Sequence, residues 1–288
     1  MKLTNQFGLP EPFFRAVLND KYSRGHAQYS VTDLIRPPRI TILSRRHWEE
    51  IEEDVSERIW ALLGRAVHAI LEAAEPDNAL TEERLFAEVA GRTISGASDL
   101  FHDGVVSDYK VTSIWTRIFG SRLEDWTLQL NFYAFLFRQI GFPVRDLKII
   151  CIYRDWTSTK ATQDDRCPKM PVEVIQVPLW SFEEQEQEIQ KRVELLKTLE
   201  AMSDDQLLPC TSEEMWEKPT AYAVMKPGRR AALRVYASQA LAERHAKNNT
   251  GLFIQVRPGE RTRCEKYCAV KRFCTEFAQY RAAKQSEG

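Results

Sequence analysis

The sequence predicts an α/β protein with a mixed central sheet flanked by helices. Apolar residues at helical spacing mark three long helices, over 56–74, 125–140 and 182–202. Runs rich in β-branched and aromatic residues fall between them, over 85–93, 95–101, 105–112, 147–153 and 172–177. No apolar run approaches the length that spans a bilayer, so no membrane partner is expected.

The first fifty residues are interrupted by Pro10, Pro12, Pro37 and Pro38, and Thr32 is placed to cap a short helix. The first long helix carries a stripe of Ile59, Leu62, Leu63, Ala66, Val67 and Ile70. Gly64 interrupts it at a cost of about 1 kcal/mol relative to alanine, which close approach of a strand would explain. Three strands follow as an antiparallel meander. Gly141 and Pro143 stop the second helix. The apolar strand at 147–153 takes 172–177 as its partner, and 182–202 is a charged amphipathic helix. Three segments result: an N-terminal helical segment over 1–53, a core over 54–206 and an irregular C-terminal extension over 207–288.

Composition narrows the function classes. The 288 residues carry 40 Lys and Arg against 41 Asp and Glu, a net charge of −1. A protein that coats DNA is strongly basic, so any nucleic-acid contact here comes from local patches. The N-terminus, MKLTNQFGLPEPFF, lacks the apolar stretch of a signal peptide. A reducing cytoplasm is therefore expected, where disulfides do not persist. Six cysteines then require another explanation, and Cys264, Cys268 and Cys274 lie close together.

The stretch GASDLFHDGVVSDYKVTS, 96–113, carries the chemistry. Asp103-Gly104 is a two-residue hairpin turn. Counting outward pairs His102 with Val105, Phe101 with Val106, Leu100 with Ser107 and Asp99 with Asp108. Opposed residues share a face with Cβ atoms about 5 Å apart, and like charges so placed destabilise a hairpin. A divalent cation reverses that sign. Lys110, two residues beyond Asp108, projects from the same face with Ala97 as its cross-strand neighbour. A lysine there can orient a water and stabilise charge on a phosphate.

Two helices supply more candidates. His68 follows Gly64 by one turn and is either a core histidine or an imidazole ligand. Gln129 and Tyr133 stand at i and i+4 on the second helix, where they can hold a phosphate, the lysine or a base. Glu88 is an exposed strand residue or a further acidic neighbour.

These motifs resemble, in order, those of RecB-like nucleases of the PD-(D/E)XK superfamily: Gly64-x-x-x-His68, Gly96-x-x-Asp99, Asp108-Tyr109-Lys110 and Gln129-x-x-x-Tyr133. The resemblance covers most of the chain from about residue 30 and implies a restriction-endonuclease-like core. It implies that Asp99, Asp108, the Tyr109 carbonyl and His68 bind Mg²⁺ or Mn²⁺, and that Lys110 serves catalysis. Asp99, Asp108 and Lys110 would be the catalytic set of a deoxyribonuclease, by analogy an exonuclease, acting in DNA recombination, repair or phage DNA processing. A recombination protein or helicase is the partner class it implies.

Cys210 followed by Cys264-x₃-Cys268-x₅-Cys274 resembles the iron–sulfur staple of AddB-type and CRISPR-adaptation relatives. Thiolates suit a [4Fe–4S] cluster or Zn²⁺. The spacing departs from the short CxxC start of those relatives, so zinc stays as the alternative. Such a staple closes a loop of about fifty residues, by analogy with disulfides a contribution of around 4 kcal/mol. Cys151 falls in an apolar strand, and Cys167 lies in a polar loop. Lys226, Arg229 and Arg230 inside the loop are candidate phosphate contacts, as are Arg234 and the arginines and lysines over 257–272. If the extension arches over the hairpin, DNA enters end first, and single-stranded or frayed ends are favoured. The competing readings are a non-catalytic DNA-binding module with a structural metal, and a restriction endonuclease, for which no separate recognition domain is evident.

Overall fold

The computed structural model describes residues 1–19, 24–74, 76 and 78–286. These form two compact units, one of Met1–Ile42 with Trp48–Met202, the other of residues 43–47 with the chain from Ser203 onward.

The first unit is a mixed α/β structure. Its three long helices are α1 (Ile59–Glu72), α2 (Leu123–Gln139) and α3 (Phe182–Glu200), within a few residues of the sequence reading. Strands β1 (Arg84–Val89) and β2 (Arg92–Ala97) form a hairpin closed by Ala90 and Gly91 at positive φ. Strands β3 (Leu100–His102) and β4 (Val105–Thr112) form the next hairpin. Strands β5 (Asp146–Tyr153) and β6 (Val172–Val177) complete the set. The five-stranded sheet runs β6-β5-β4-β3 and ends on Leu80–Thr81, with β4 and β5 parallel and its other neighbours antiparallel. A parallel pair needs a crossover, and α2 supplies it between β4 and β5.

The meander expected for the first strands does not form. The chain leaves β2 at Ser98–Asp99, and β1 and β2 belong to a separate three-stranded sheet with Tyr29–Ser30. Ala97 therefore pairs with Arg84, while Lys110 lies beside Cys151 on β5. The N-terminal segment contributes strands to this unit, since Lys2–Thr4 pairs with Glu52–Asp54. The short helix Val31–Ile35 is capped by Ser30 rather than Thr32, in a reciprocal capping box with Asp33.

Helix α2 is the spine of the core. Leu130 through Phe137 are all buried, because the helix packs on β1, β2, β4, β5, α3 and the Val31–Ile35 helix. Its Asn131 is fully buried and fully bonded: Nδ2 donates to the Thr127 and Pro178 carbonyls, and Oδ1 accepts from Trp180 N–H and the Gln185 amide. Helix α1 is different. None of its residues is fully buried, and Trp60 and Ile70 are mostly exposed. A Cβ on Gly64 would meet nothing within 4 Å, so close approach of a strand does not explain that glycine.

The second unit is more regular than its sequence suggests. Strands β7 (Ala221–Met225), β8 (Arg234–Tyr236) and β9 (Phe253–Arg257) form an antiparallel sheet in the order β8-β7-β9. Helix α4 (Gln239–Lys247) packs on it and buries Ala242, with Ala223, Val224 and Met225 also buried. No helix among the described residues is long and apolar enough to cross a membrane.

Candidate metal centre

The β3–β4 turn has the chemistry that its sequence demands. Asp103 and Gly104 both adopt positive φ, 50° and 74°, as a tight hairpin turn of the primed kind requires. The ladder then pairs His102 with Val105, Phe101 with Val106 and Leu100 with Ser107. It stops there. Asp99 sits at the bend before β3, and its Oδ2 accepts a 2.6 Å hydrogen bond from Tyr109 N–H. The two aspartates are neighbours, as the register implies, but Asp99 is anchored on the backbone of β4 rather than opposed within the ladder.

Asp108 is 3% exposed and forms an ion pair with Lys110. Burial raises its pKa, the Lys110 charge opposes that rise, and Asp99 adds to it. Lys110 Nζ also donates to Gln129 Oε1 at 3.0 Å, and Gln129 Nε2 donates to Tyr133 OH at 2.8 Å. The i,i+4 pair on α2 thus holds the lysine through one relay.

His68 reaches the same place from α1. Its Nε2 lies 3.1 Å from the Tyr109 carbonyl oxygen, and its Nδ1 lies 3.4 Å from Asp99 Oδ1. Glu82 is 3.7 Å from Nδ1, at the head of β1 and in a left-handed backbone conformation. The structure thus adds an acidic group that the sequence reading did not pick out. Asp99 first, then Glu82, raise the His68 pKa to about 10 against the opposing effect of burial. Glu88 stands apart, exposed and bonded to Thr93.

The donor set fits a hard or borderline divalent cation: carboxylates, one carbonyl and one imidazole, concentrated enough to hold a proton tightly on His68. Among the described residues, His68, Glu82 and Asp99 offer donor atoms within 4.8 Å of one another.

The cysteine region lies in the second unit. Glu217–Lys218 pairs with Glu260–Arg261, and Arg263 donates to the Glu214 carbonyl at 2.8 Å, which ties the Cys210 end of the chain to the Cys264 end. Burial first, then Glu214 and the other three cysteines, push the Cys210 thiol up to about 12. Burial, Cys268 and Cys274 push Cys264 up to about 11, and Cys268 is raised too. All four of these thiols are half-buried. Cys151 and Cys167 are buried and belong to the first unit.

Several basic residues near the cysteines are engaged internally. Arg261 pairs with Glu217 and Glu276, Lys266 with Glu260, and Lys271 with the Glu265 carbonyl. Lys226, Arg229 and Arg230 lie instead on the exposed turn after β7, without ion-pair partners among the described residues.

No protein-family model matches the chain, and no curated protein sequence matches it. Among solved structures, the chain is similar to the protein SSO0001, with 21% identity and a TM-score of 0.47, over 65% of this chain and 83% of that one. It is also similar to a candidate exonuclease from Eubacterium rectale, with 15% identity and a TM-score of 0.31, over 49% of this chain and 56% of that one. Neither likeness is close enough to assign a fold or an activity.

Proposed function

We propose that the chain is a divalent-metal-dependent deoxyribonuclease of the RecB-like PD-(D/E)XK type, acting on DNA ends. The observation that carries this reading is the convergence of His68, Asp99, Asp108, Lys110 and Gln129, from four separate elements, on residues 108–110 of β4. A structural ion pair needs no such assembly, and a solvated hairpin does not bury an aspartate.

Asp99, Asp108, the Tyr109 carbonyl and His68 would hold Mg²⁺ or Mn²⁺. The cation would supply Lewis-acid activation of a water and neutralise charge developing on the phosphate. Asp99, fixed by Tyr109 N–H, keeps its other oxygen turned to His68. Lys110 is held between Asp108 and Gln129, so its ammonium is placed before any substrate arrives. It can orient a water and stabilise the phosphate as charge builds. Gln129 and Tyr133 steady the lysine and offer polar contacts to the strand. Lys226, Arg229 and Arg230 are phosphate contacts in this reading. The four cysteines Cys210, Cys264, Cys268 and Cys274 would hold a [4Fe–4S] cluster, with Zn²⁺ as the alternative.

The test is incubation of purified protein with end-labelled single- and double-stranded DNA, with and without Mn²⁺. Metal-dependent shortening from an end is expected, lost in Asp108→Ala and Lys110→Ala proteins. Robust cleavage in EDTA, or by Asp108→Ala protein, would overturn the reading. Metal analysis of anaerobically purified protein tests the cluster: iron and sulfide support it, and zinc without iron refutes it while leaving the staple.

A further inference from the structure

Glu82 lies outside every motif that points to the site, yet it faces it. His68 Nδ1 is 3.4 Å from Asp99 Oδ1 and 3.7 Å from Glu82 Oε1, and the three donors fall within 4.8 Å of one another. Ligands bound to one divalent ion at about 2.0–2.2 Å stand roughly 3–3.5 Å apart. A small inward rotation of Glu82, whose side chain is 44% exposed, brings all three into that range.

The other imidazole nitrogen decides how the ring is used. Nε2 lies 3.1 Å from the Tyr109 carbonyl oxygen. A carbonyl only accepts, so in the neutral ring Nε2 carries the proton and Nδ1 presents its lone pair to the carboxylates. Metal-bound histidines commonly donate their second N–H to a backbone carbonyl in this way, which fixes the ring and its tautomer. Asp99 is fixed likewise: Oδ2 is held by Tyr109 N–H and Oδ1 faces His68.

We propose that His68 Nδ1, Glu82 and Asp99 form a divalent-cation position, with Glu82 supplied as a ligand by the segment ahead of β1. This rests on the nuclease reading only in taking the region as a cation site. His68 and Asp99 also belong to the set that Asp108 completes, so Glu82 is a further ligand at that same cation site, where Asp108 is paired with Lys110. One imidazole with two carboxylates suits Mn²⁺ better than Mg²⁺, which prefers oxygen and retained water. The position therefore favours Mn²⁺ over Mg²⁺.

The experiment titrates the full-length, metal-stripped protein with Mn²⁺ and reads free Mn²⁺ by electron paramagnetic resonance. Glu82→Gln keeps the size and polarity of the side chain and removes the charge. It should weaken Mn²⁺ binding by about 10- to 100-fold, and Glu82→Asp should recover part of the loss. Glu83→Gln, one residue on and exposed, removes the same charge nearby and should leave the affinity unchanged. Wild-type affinity in Glu82→Gln beside weakened binding in Asp108→Asn would overturn the Glu82 assignment and leave the nuclease reading standing. Equal weakening by Glu83→Gln would reduce the effect to a long-range field and also overturn it. Wild-type affinity in Glu82→Gln, Asp99→Asn and Asp108→Asn alike would overturn both.

Discussion

Lys110→Met keeps most of the lysine's aliphatic volume and removes its charge, leaving Asp108 buried without its counter-ion. Asp108 is 3% exposed, and the Lys110 side chain is only 22% exposed, so solvent does little to replace the lost partner. Removing one member of a buried pair typically costs 3–5 kcal/mol; at this partly open position the lower end, about 3 kcal/mol, is expected in EDTA near pH 8. The pH dependence has a definite sign. Burial already lifts the Asp108 pKa from 3.8 to about 6 in the folded protein, so between those values the native state binds more protons than the unfolded chain. Stability from this group therefore falls as pH rises through that window. Without Lys110, the largest opposing influence is gone and the window extends above pH 6. The loss should be visibly smaller near pH 5 than near pH 8, and Mn²⁺ should restore part of it by taking over the role of counter-charge. Urea unfolding in EDTA across this pH range, repeated with Mn²⁺, measures all three effects. A midpoint within about 1 kcal/mol of wild type at both ends of the range, unmoved by Mn²⁺, would refute the reasoning.

Asn131→Ala strips partners from the Pro178 carbonyl, the Trp180 N–H and the Gln185 amide, and should destabilise the first unit by on the order of 3 kcal/mol, read from the urea midpoint. Asp54 accepts from Gln6 N–H, Ser56 N–H and Thr4 Oγ1, which lower its pKa from 3.8 to about 2. Its contribution is present above pH 4 and lost as pH falls towards 2, so an Asp54→Asn protein should show a flatter acid-unfolding curve over that interval. Neutralising Arg229 and Arg230 together should weaken DNA binding for all sequences and lower the salt slope by up to roughly 2, without changing Mn²⁺ affinity. A linear single strand should be digested faster than the same strand closed into a circle; equal rates would remove the requirement for an end.

The parts of the site that were legible depend on local rules. Asp103-Gly104 announces its turn because few residue pairs tolerate two positive φ values, and the turn fixes the pairing as far as Leu100. Gln129 and Tyr133 share a face because helical spacing is rigid. What escaped depends on tertiary geometry. The bend at Ser98–Asp99 splits one expected sheet into two, and nothing in that short stretch announces it. Glu82 reaches His68 only because the chain turns through a left-handed residue ahead of β1, at a position without glycine or asparagine to signal it. The sheet of the second unit was missed because its strands are only 3–5 residues long and too short for a clear alternation. The apolar stripe on α1 misled in the opposite sense, since helical spacing gives the face but not what covers it.

Gly96 shows how packing and chemistry meet in one residue. A Cβ at that position would lie 2.8 Å from Leu136 Cδ1 and 2.9 Å from two ring carbons of Tyr133. The glycine of the Gly-x-x-Asp motif therefore contributes no chemistry of its own; it lets β2 press against α2. Tyr133 is buried there, and its hydroxyl receives the Gln129 amide that in turn holds Lys110. Leu136 and Tyr133 lie in the buried stretch Leu130–Phe137 of α2, so neither can retreat cheaply from an added methyl group. The strand would have to move instead, and Asp99 follows Gly96 by three residues, at the bend just past its end. The spacing of the motif thus couples a packing distance at Gly96 to the position of a carboxylate at Asp99 and, through α2, to the lysine that faces it.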